Sequence, residues 1–186
     1  KYRTLLWAAG LILFTLGFAP NGWGQTNTGW LNPSVTKAEN SVGSQDNVFS
    51  SDDARATWDN SDDWADYGNF NITIPVGSTI NGIEVRVEGY RSASNERNIG
   101  VELSYNNGSN YTSSIQVPIN VYSSGSETYF TVGGSNNTWG RTWTISELSN
   151  TNFRVQLDAT SGGGTVYIDH IQVQIYFTPP PGSTLT

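Results

Sequence analysis

The sequence predicts an all-β protein closed as an antiparallel two-sheet β-sandwich of about eight strands. Three observations carry that expectation. Short alternating apolar and polar runs recur from Ala54 onward, each ended by Gly, Asn or Pro. Ser, Thr and Asn fill 60 of the 186 positions and charged residues only 13%, unlike a coiled coil or a helix bundle. Helical signal is confined to Thr144-Ile145-Ser146-Glu147, a capping-box pattern for one turn.

Lys1 and Arg3 precede an uncharged run from Leu5 to Phe18, broken at Ala19-Pro20-Asn21-Gly22. The run is shorter than the ~20 apolar residues of a spanning helix. It reads as a secretory signal over residues 1–24, cut before Gln25, so the mature chain is expected outside the cell or at its surface. Without that leader, seven cations face sixteen carboxylates, a charge of −9, and Lys37 is the last lysine. Such a surface repels phosphate backbones and anionic head groups, so neither nucleic acid nor a membrane is expected as partner of the mature form. There is no Cys and one His, which excludes disulfides, thiolate metal sites and multi-histidine centres.

Residues 25–50 read as an extended lead-in with one edge strand near Val35, followed by the sandwich over 51–178. Phe70, Ile72 and Ile74 alternate with polar residues and predict a strand. Ile83, Val85 and Val87 alternate with Glu84, Arg86 and Glu88 and form the clearest one. Ile99 to Tyr105 make the next, with weaker runs at Ser114 to Val117 and Thr128 to Val132. Phe153, Val155 and Leu157 give another. In the final run Val166 and Ile168 are in one phase and Ile171, Val173, Ile175 and Phe177 in the other. A register slip would expose half of them, so a β-bulge is expected at Asp169-His170. Residues 179–186 are Pro-rich and read either as a stiff linker to a further domain or as a frayed tail.

Seven aspartates lie between positions 46 and 66, with Arg55 the one cation among them. They form either a solvated loop or an oxygen cage for a structural calcium ion, for which Asp52, Asp53, Asp62 and Asp63 are the candidate ligands. Tyr90, Tyr105, Tyr111 and Tyr122 lie in or near loops and are candidate ligand-binding residues, since aromatic faces stack on sugar rings; the same residue type also fills β cores. No catalytic residue is assigned. Asp169 and His170 are adjacent on a strand and point to opposite faces, and no Gly-x-Ser-x-Gly elbow accompanies them. Glu84 and Glu88, four apart on one strand, are about 13 Å apart, too far for a retaining glycosidase pair. Glu102, Glu127 and Glu147 remain unselected.

Asn81-Gly82-Ile83-Glu84-Val85-Arg86-Val87, then Trp139-Gly140-Arg141-Thr142-Trp143, then Val166-Tyr167-Ile168-Asp169-His170-Ile171-Gln172-Val173 together resemble jelly-roll β-sandwich modules of bacterial surface proteins and phage tail-associated proteins. The closing Tyr-Ile-Asp and its alternating run are also similar to the last strand of carbohydrate-binding modules. The resemblance, spanning residues 45 to 178, implies a jelly-roll-like sandwich, exposed aromatics on a ligand face or at loop tips, and a structural calcium. The expected function is therefore a non-catalytic secreted binding or adhesion module, with extracellular carbohydrate as favoured ligand. A structural surface or appendage module with a surface protein as partner is the alternative, and a glycoside-active enzyme the third reading.

Overall fold

Among the described residues the chain forms ten strands. The computed structural model describes residues 24–92, 98–160 and 162–182; apart from Gly24, the expected leader lies outside these, as do the last four residues of the tail. The strands are β1 (Thr26–Asn27), β2 (Val35–Asn40), β3 (Ala56–Trp58), β4 (Trp64–Gly68), β5 (Thr79–Arg91), β6 (Ile99–Ser104), β7 (Ile115–Gln116), β8 (Thr128–Gly133), β9 (Arg154–Ala159) and β10 (Val166–Thr178). One sheet runs β1-β10-β5-β8, with β3 paired to the first part of β10; the other runs β2-β4-β9-β6-β7. All pairings are antiparallel. Successive strands switch sheet at every step except β6 to β7, the jelly-roll manner of closing a sandwich. Residues 25–50 supply a strand to each sheet, so the lead-in is built into the sandwich.

The inward phase of each strand makes the core between the sheets. Ile83, Val85 and Val87 from β5, Ile171, Val173 and Ile175 from β10, Val101 and Leu103 from β6, and Val155 and Leu157 from β9 are all fully buried. At one end Phe153 packs edge-on against Phe70 and Trp143, with ring centroids 5.8 and 5.9 Å away. The capping-box turn forms as expected, as a single 3-10 turn over Ile145–Leu148, with Glu147 accepting from the Thr144 backbone N–H at 2.8 Å.

The bulge in β10 is present where the phase change predicts it. Ile168 pairs with Gly89 and His170 with Glu88, so Asp169 is the extra residue with no partner on β5. Both apolar phases of β10 thereby reach the core, and the Asp169 side chain is aimed away from the ladder. The strand expected at Phe70, Ile72 and Ile74 does not form. Asn69 and Asn71 adopt left-handed φ of 57° and 53°, which an extended ladder cannot accommodate. Phe70 and Ile74 are buried all the same, so the alternation reports burial of an irregular segment. The count rises from eight to ten because that run drops out while β1, β3 and β4, which carry no clear alternation, come in; the weak run at Ser114 to Val117 is β7.

Candidate functional site

The outward face of the second sheet is polar and recessed. Register aligns its side chains in rows across the strands: Trp64 of β4 opposite Asp158 of β9, itself opposite Gly100 of β6; then Asp66, Gln156 and Glu102; then Arg154 and Ser104, with Tyr111 bridged beyond it. An outward face bearing ordinary solvated side chains would be exposed. Here Asp66 is 1% and Ser104 0% exposed, and Trp64, Glu102, Tyr111, Arg154, Gln156 and Asp158 are all half-buried. Gly100 has no side chain, and the Ser114 hydroxyl and the Gln116 amide occupy the place where one would project.

Asp66 organises the centre. Its Oδ2 accepts from the Tyr111 hydroxyl at 2.6 Å and from Arg154 Nη1 at 2.9 Å, and its Oδ1 accepts from Gln156 Nε2 at 3.0 Å. Because Tyr111 begins beyond Ser104, outside β6, and its hydroxyl bonds the carboxylate of a β4 residue, the ring is directed over β6 toward β9. The neighbouring Asp66 carboxylate and burial push the Tyr111 hydroxyl well above the usual phenol range, so it stays a hydrogen-bond donor; burial is the larger cause. Arg154 Nη2 also donates to Asn107 at 2.7 Å, so its charge is committed on both sides. The result is a rigid aromatic and amide surface with fixed donors.

Glu102 and Asp158 flank this centre and have no hydrogen-bond partner among the described residues. Burial raises the proton affinity of both, and for Glu102 the charges of Asp158 and Asp66 add to it. A carboxyl that holds its proton more tightly when folded adds stability below the unfolded value, about 4, and loses it as pH rises through the raised value. Glu102→Gln removes that loss. The variant is expected to be slightly more stable than wild type at pH 7, with solvent screening keeping the gain small and the difference vanishing toward pH 4; urea unfolding across that range checks it.

No protein-family model and no curated protein matches the chain. Among solved structures it is similar to the C-terminal CBM6 of LamC, a marine laminarinase from Zobellia galactanivorans, at 15% identity and TM-score 0.42, over 82% of this chain and 98% of that one. It is also similar to the CBM22-1 xylan-binding domain of Paenibacillus barcinonensis Xyn10C, at 10% identity and TM-score 0.38, over 84% and 89% of the two chains. For the CBM22-1 and GH10 modules of Clostridium thermocellum xylanase 10B the values are 12% and 0.35, over 85% and 27%. The functional reading therefore rests on the side chains.

The four tyrosines singled out from the sequence do not share a surface. Tyr111 lies on the recessed face. Tyr105 packs edge-on against Trp143, with Arg141 over its ring at 3.4 Å. Tyr90 is on the outward face of the first sheet, stacked on Tyr167 at 4.6 Å and 9°. Tyr122, 45% exposed, sits on the loop before β8 with Arg91 over its ring at 5.6 Å. What the sequence did not single out is Trp64, Gln156 and their neighbours. For β6 and β9 the signal was the polar phase, legible as alternation but silent about which polar phase is recessed; β4, with Trp64 and Asp66, carried no alternation to find it by.

The four aspartates separate into two pairs. Asp52 and Asp53 line an acidic pocket with Asp169, whereas Asp63 is fully buried at the turn before β4, its Oδ2 accepting from the backbone N–H groups of Asp59 and Asn60 at 2.8 Å each. The backbone carbonyl of Asp62 beside it accepts from Asn40 at 2.7 Å. His170 bonds Tyr129 through Nδ1 at 2.7 Å and Asn32 through Nε2 at 3.2 Å, while Asp169 points into the pocket, so the two do not form a relay.

Proposed function

We propose that this protein is a non-catalytic carbohydrate-binding module whose glycan lies along the outward face of the second sheet. The observation that carries the reading is the recessed face that brings together Trp64, Gln156 and Glu102 beside the Tyr111 ring, whose hydroxyl is tied to Asp66. Sugar rings present apolar C–H faces and a rim of hydroxyls. A ring laid along a sheet offers the stacking surface, and carboxylates and amides fixed at its edge accept and donate to the hydroxyls. Two uncommitted carboxylates and a paired arginine favour a neutral glycan over a uronic acid or sulfated one.

Affinity electrophoresis through xylan, mixed-linkage β-glucan, mannan and polygalacturonate tests this. Wild type is expected to be retarded by at least one neutral polymer and not by polygalacturonate. Trp64→Ala is expected to weaken that retardation about tenfold or more, and Tyr90→Ala, on the other sheet, to leave it unchanged. Absence of retardation in every neutral gel would sink the proposal. Release of reducing ends lost in Glu102→Gln or Asp158→Asn would replace it with a glycoside-cleaving one.

A further inference from the structure

The edges of this sandwich are guarded in different ways. β1 and β7 are two residues long, β3 is covered by the bridge from Gly43 to Thr57, and β2 carries a bulge between Thr36 and Ala38 beside Lys37 and Glu39. Short strands, bulges and charges keep an edge from adding another strand. β8 has none of these. Among the described residues it pairs with β5 alone, and it runs as Thr128-Tyr129-Phe130-Thr131-Val132-Gly133, without a charge and without a register shift. Glu127, just ahead of it, is turned inward: its side chain is 7% exposed and bonds Arg55, so it places no free carboxylate at the edge.

Ladder phase decides which main-chain groups of β8 are open. The Gly134 N–H donates to the Ile83 carbonyl at 3.0 Å, which makes those two residues a hydrogen-bonded pair. Bonded and non-bonded pairs alternate along an antiparallel ladder. Thr128, Phe130 and Val132 therefore bond β5, and Tyr129, Thr131 and Gly133 turn their main-chain groups to the open side. Thr131, at the middle of this set, is exposed. An identical strand laid antiparallel with Thr131 opposite Thr131 is complementary to it. The two Thr131 residues exchange N–H and C=O across the axis, and the Gly133 N–H of each copy donates to the Tyr129 carbonyl of the other. Gly133 has a left-handed φ of 82°, which turns its own carbonyl out of line and ends the ladder there. On the core side Phe130 of each copy meets Val132 of the other. Phe130 is a partly buried residue at the rim of the core, and this contact covers it. Glu127 falls opposite Ser135, so no like charges meet.

We propose that β8 pairs with β8 of a second copy of this chain, joining the two first sheets into one across a two-fold axis at Thr131. The remaining edges are too short, covered or bulged to take part, so the contact closes at two copies. The occupant is a second copy because one register matches hydrogen bonds, apolar residues and charge at once, in a chain whose acidic surface otherwise repels its own kind. The axis is perpendicular to the joined sheet. Both second sheets therefore lie on the same side of it, and their recessed faces point the same way. Bivalent binding to one polymer surface follows from that only on the glycan reading above, whereas the pairing stands without it. A contact along one strand is narrow beside that of a permanent dimer, and a dissociation constant of about 10–100 µM is expected.

Sedimentation velocity of the purified chain between about 1 µM and about 1 mM tests this. Wild type is expected to pass from monomer to dimer and to go no further. Thr131→Lys and Thr131→Glu each set like charges against each other at the axis and are expected to weaken the dimer about fivefold to tenfold. Mixing the two variants is expected to restore it, because Lys of one copy then faces Glu of the other. Thr131→Pro removes the donor at the axis but no bond to β5, and is expected to weaken the dimer about tenfold or more. Glu39→Lys, on the β2 edge, is expected to leave it unchanged. A chain that stays monomeric to the highest concentration would overturn the pairing and leave the edge to a different partner. A dimer indifferent to both Thr131 charges, or a mixture of the two that associates no better than either alone, places the contact elsewhere and also overturns it. Species that keep growing beyond the dimer overturn the two-fold closure.

Discussion

Asp66→Ala is expected to lower the unfolding free energy by about 3–5 kcal/mol. The carboxylate is 1% exposed and accepts three side-chain hydrogen bonds, one of them from Arg154. Arg154 itself is only 13% exposed. Deleting the carboxylate leaves this guanidinium with Asn107 alone and deprives the Tyr111 hydroxyl and the Gln156 amide of their acceptor. Breaking one side of a buried pair is costly because the other charge stays desolvated. Asp66→Asn keeps the shape and one acceptor oxygen and is expected to cost less, about 1–3 kcal/mol. Urea unfolding of the three proteins measures both, and a wild-type midpoint for Asp66→Ala would show that Arg154 does not depend on it. Both variants are also expected to weaken glycan retardation, since Tyr111 is no longer tied down.

Trp139→Ala is expected to destabilise by about 3–5 kcal/mol, and Trp139→Phe by about 1 kcal/mol. Trp139 is 6% exposed, its ring rests against Gly133, and its Nε1 donates to the Ile83 carbonyl at 2.9 Å. That carbonyl also accepts from the Gly134 N–H at 3.0 Å, so losing the indole donor alone leaves it satisfied. Burial of the ring is then the larger part of the contribution. If Phe and Ala melt alike in a thermal scan, the hydrogen bond and not the burial is the main contribution. The same bond explains why two distant sequence patterns occur together. Asn81 to Val87 forms β5, and the Trp139 segment folds back onto it. Trp143 Nε1 then bonds the Thr138 carbonyl at 2.9 Å, and Arg141 pairs with Glu147 at 2.6 Å.

Much of the fold is legible in the residues because strand alternation is a local consequence of burying one face. Ile83, Val85 and Val87 announce β5, and the phase change at Asp169 announces the bulge, since both apolar sets must reach one core. Phe70 to Ile74 shows where this logic fails. Its apolar residues are buried, but left-handed Asn69 and Asn71 supply the chain path, and no periodicity distinguishes the two cases. The candidate face fails differently. Arg154, Gln156 and Asp158 read as the solvent phase of β9, and recession of that phase depends on Tyr111 and Gln116 arriving from distant positions.

The acidic loop shows the same division. Clustering of aspartates between positions 46 and 66 is visible along the chain, and so is the possibility of an oxygen site. Proximity in sequence does not select ligands, because carboxylates on one loop can turn to different sides. Asp63 turns inward to hold its own turn, while Asp53 meets Glu127 and Asp169 from remote segments. The sequence by itself determined the sandwich, its core phases and the bulge, all set by short-range alternation. Only the tertiary structure decided which polar side chains share a recess and which carboxylates converge, because those pairings depend on strand register and bulge position between residues as much as 117 positions apart.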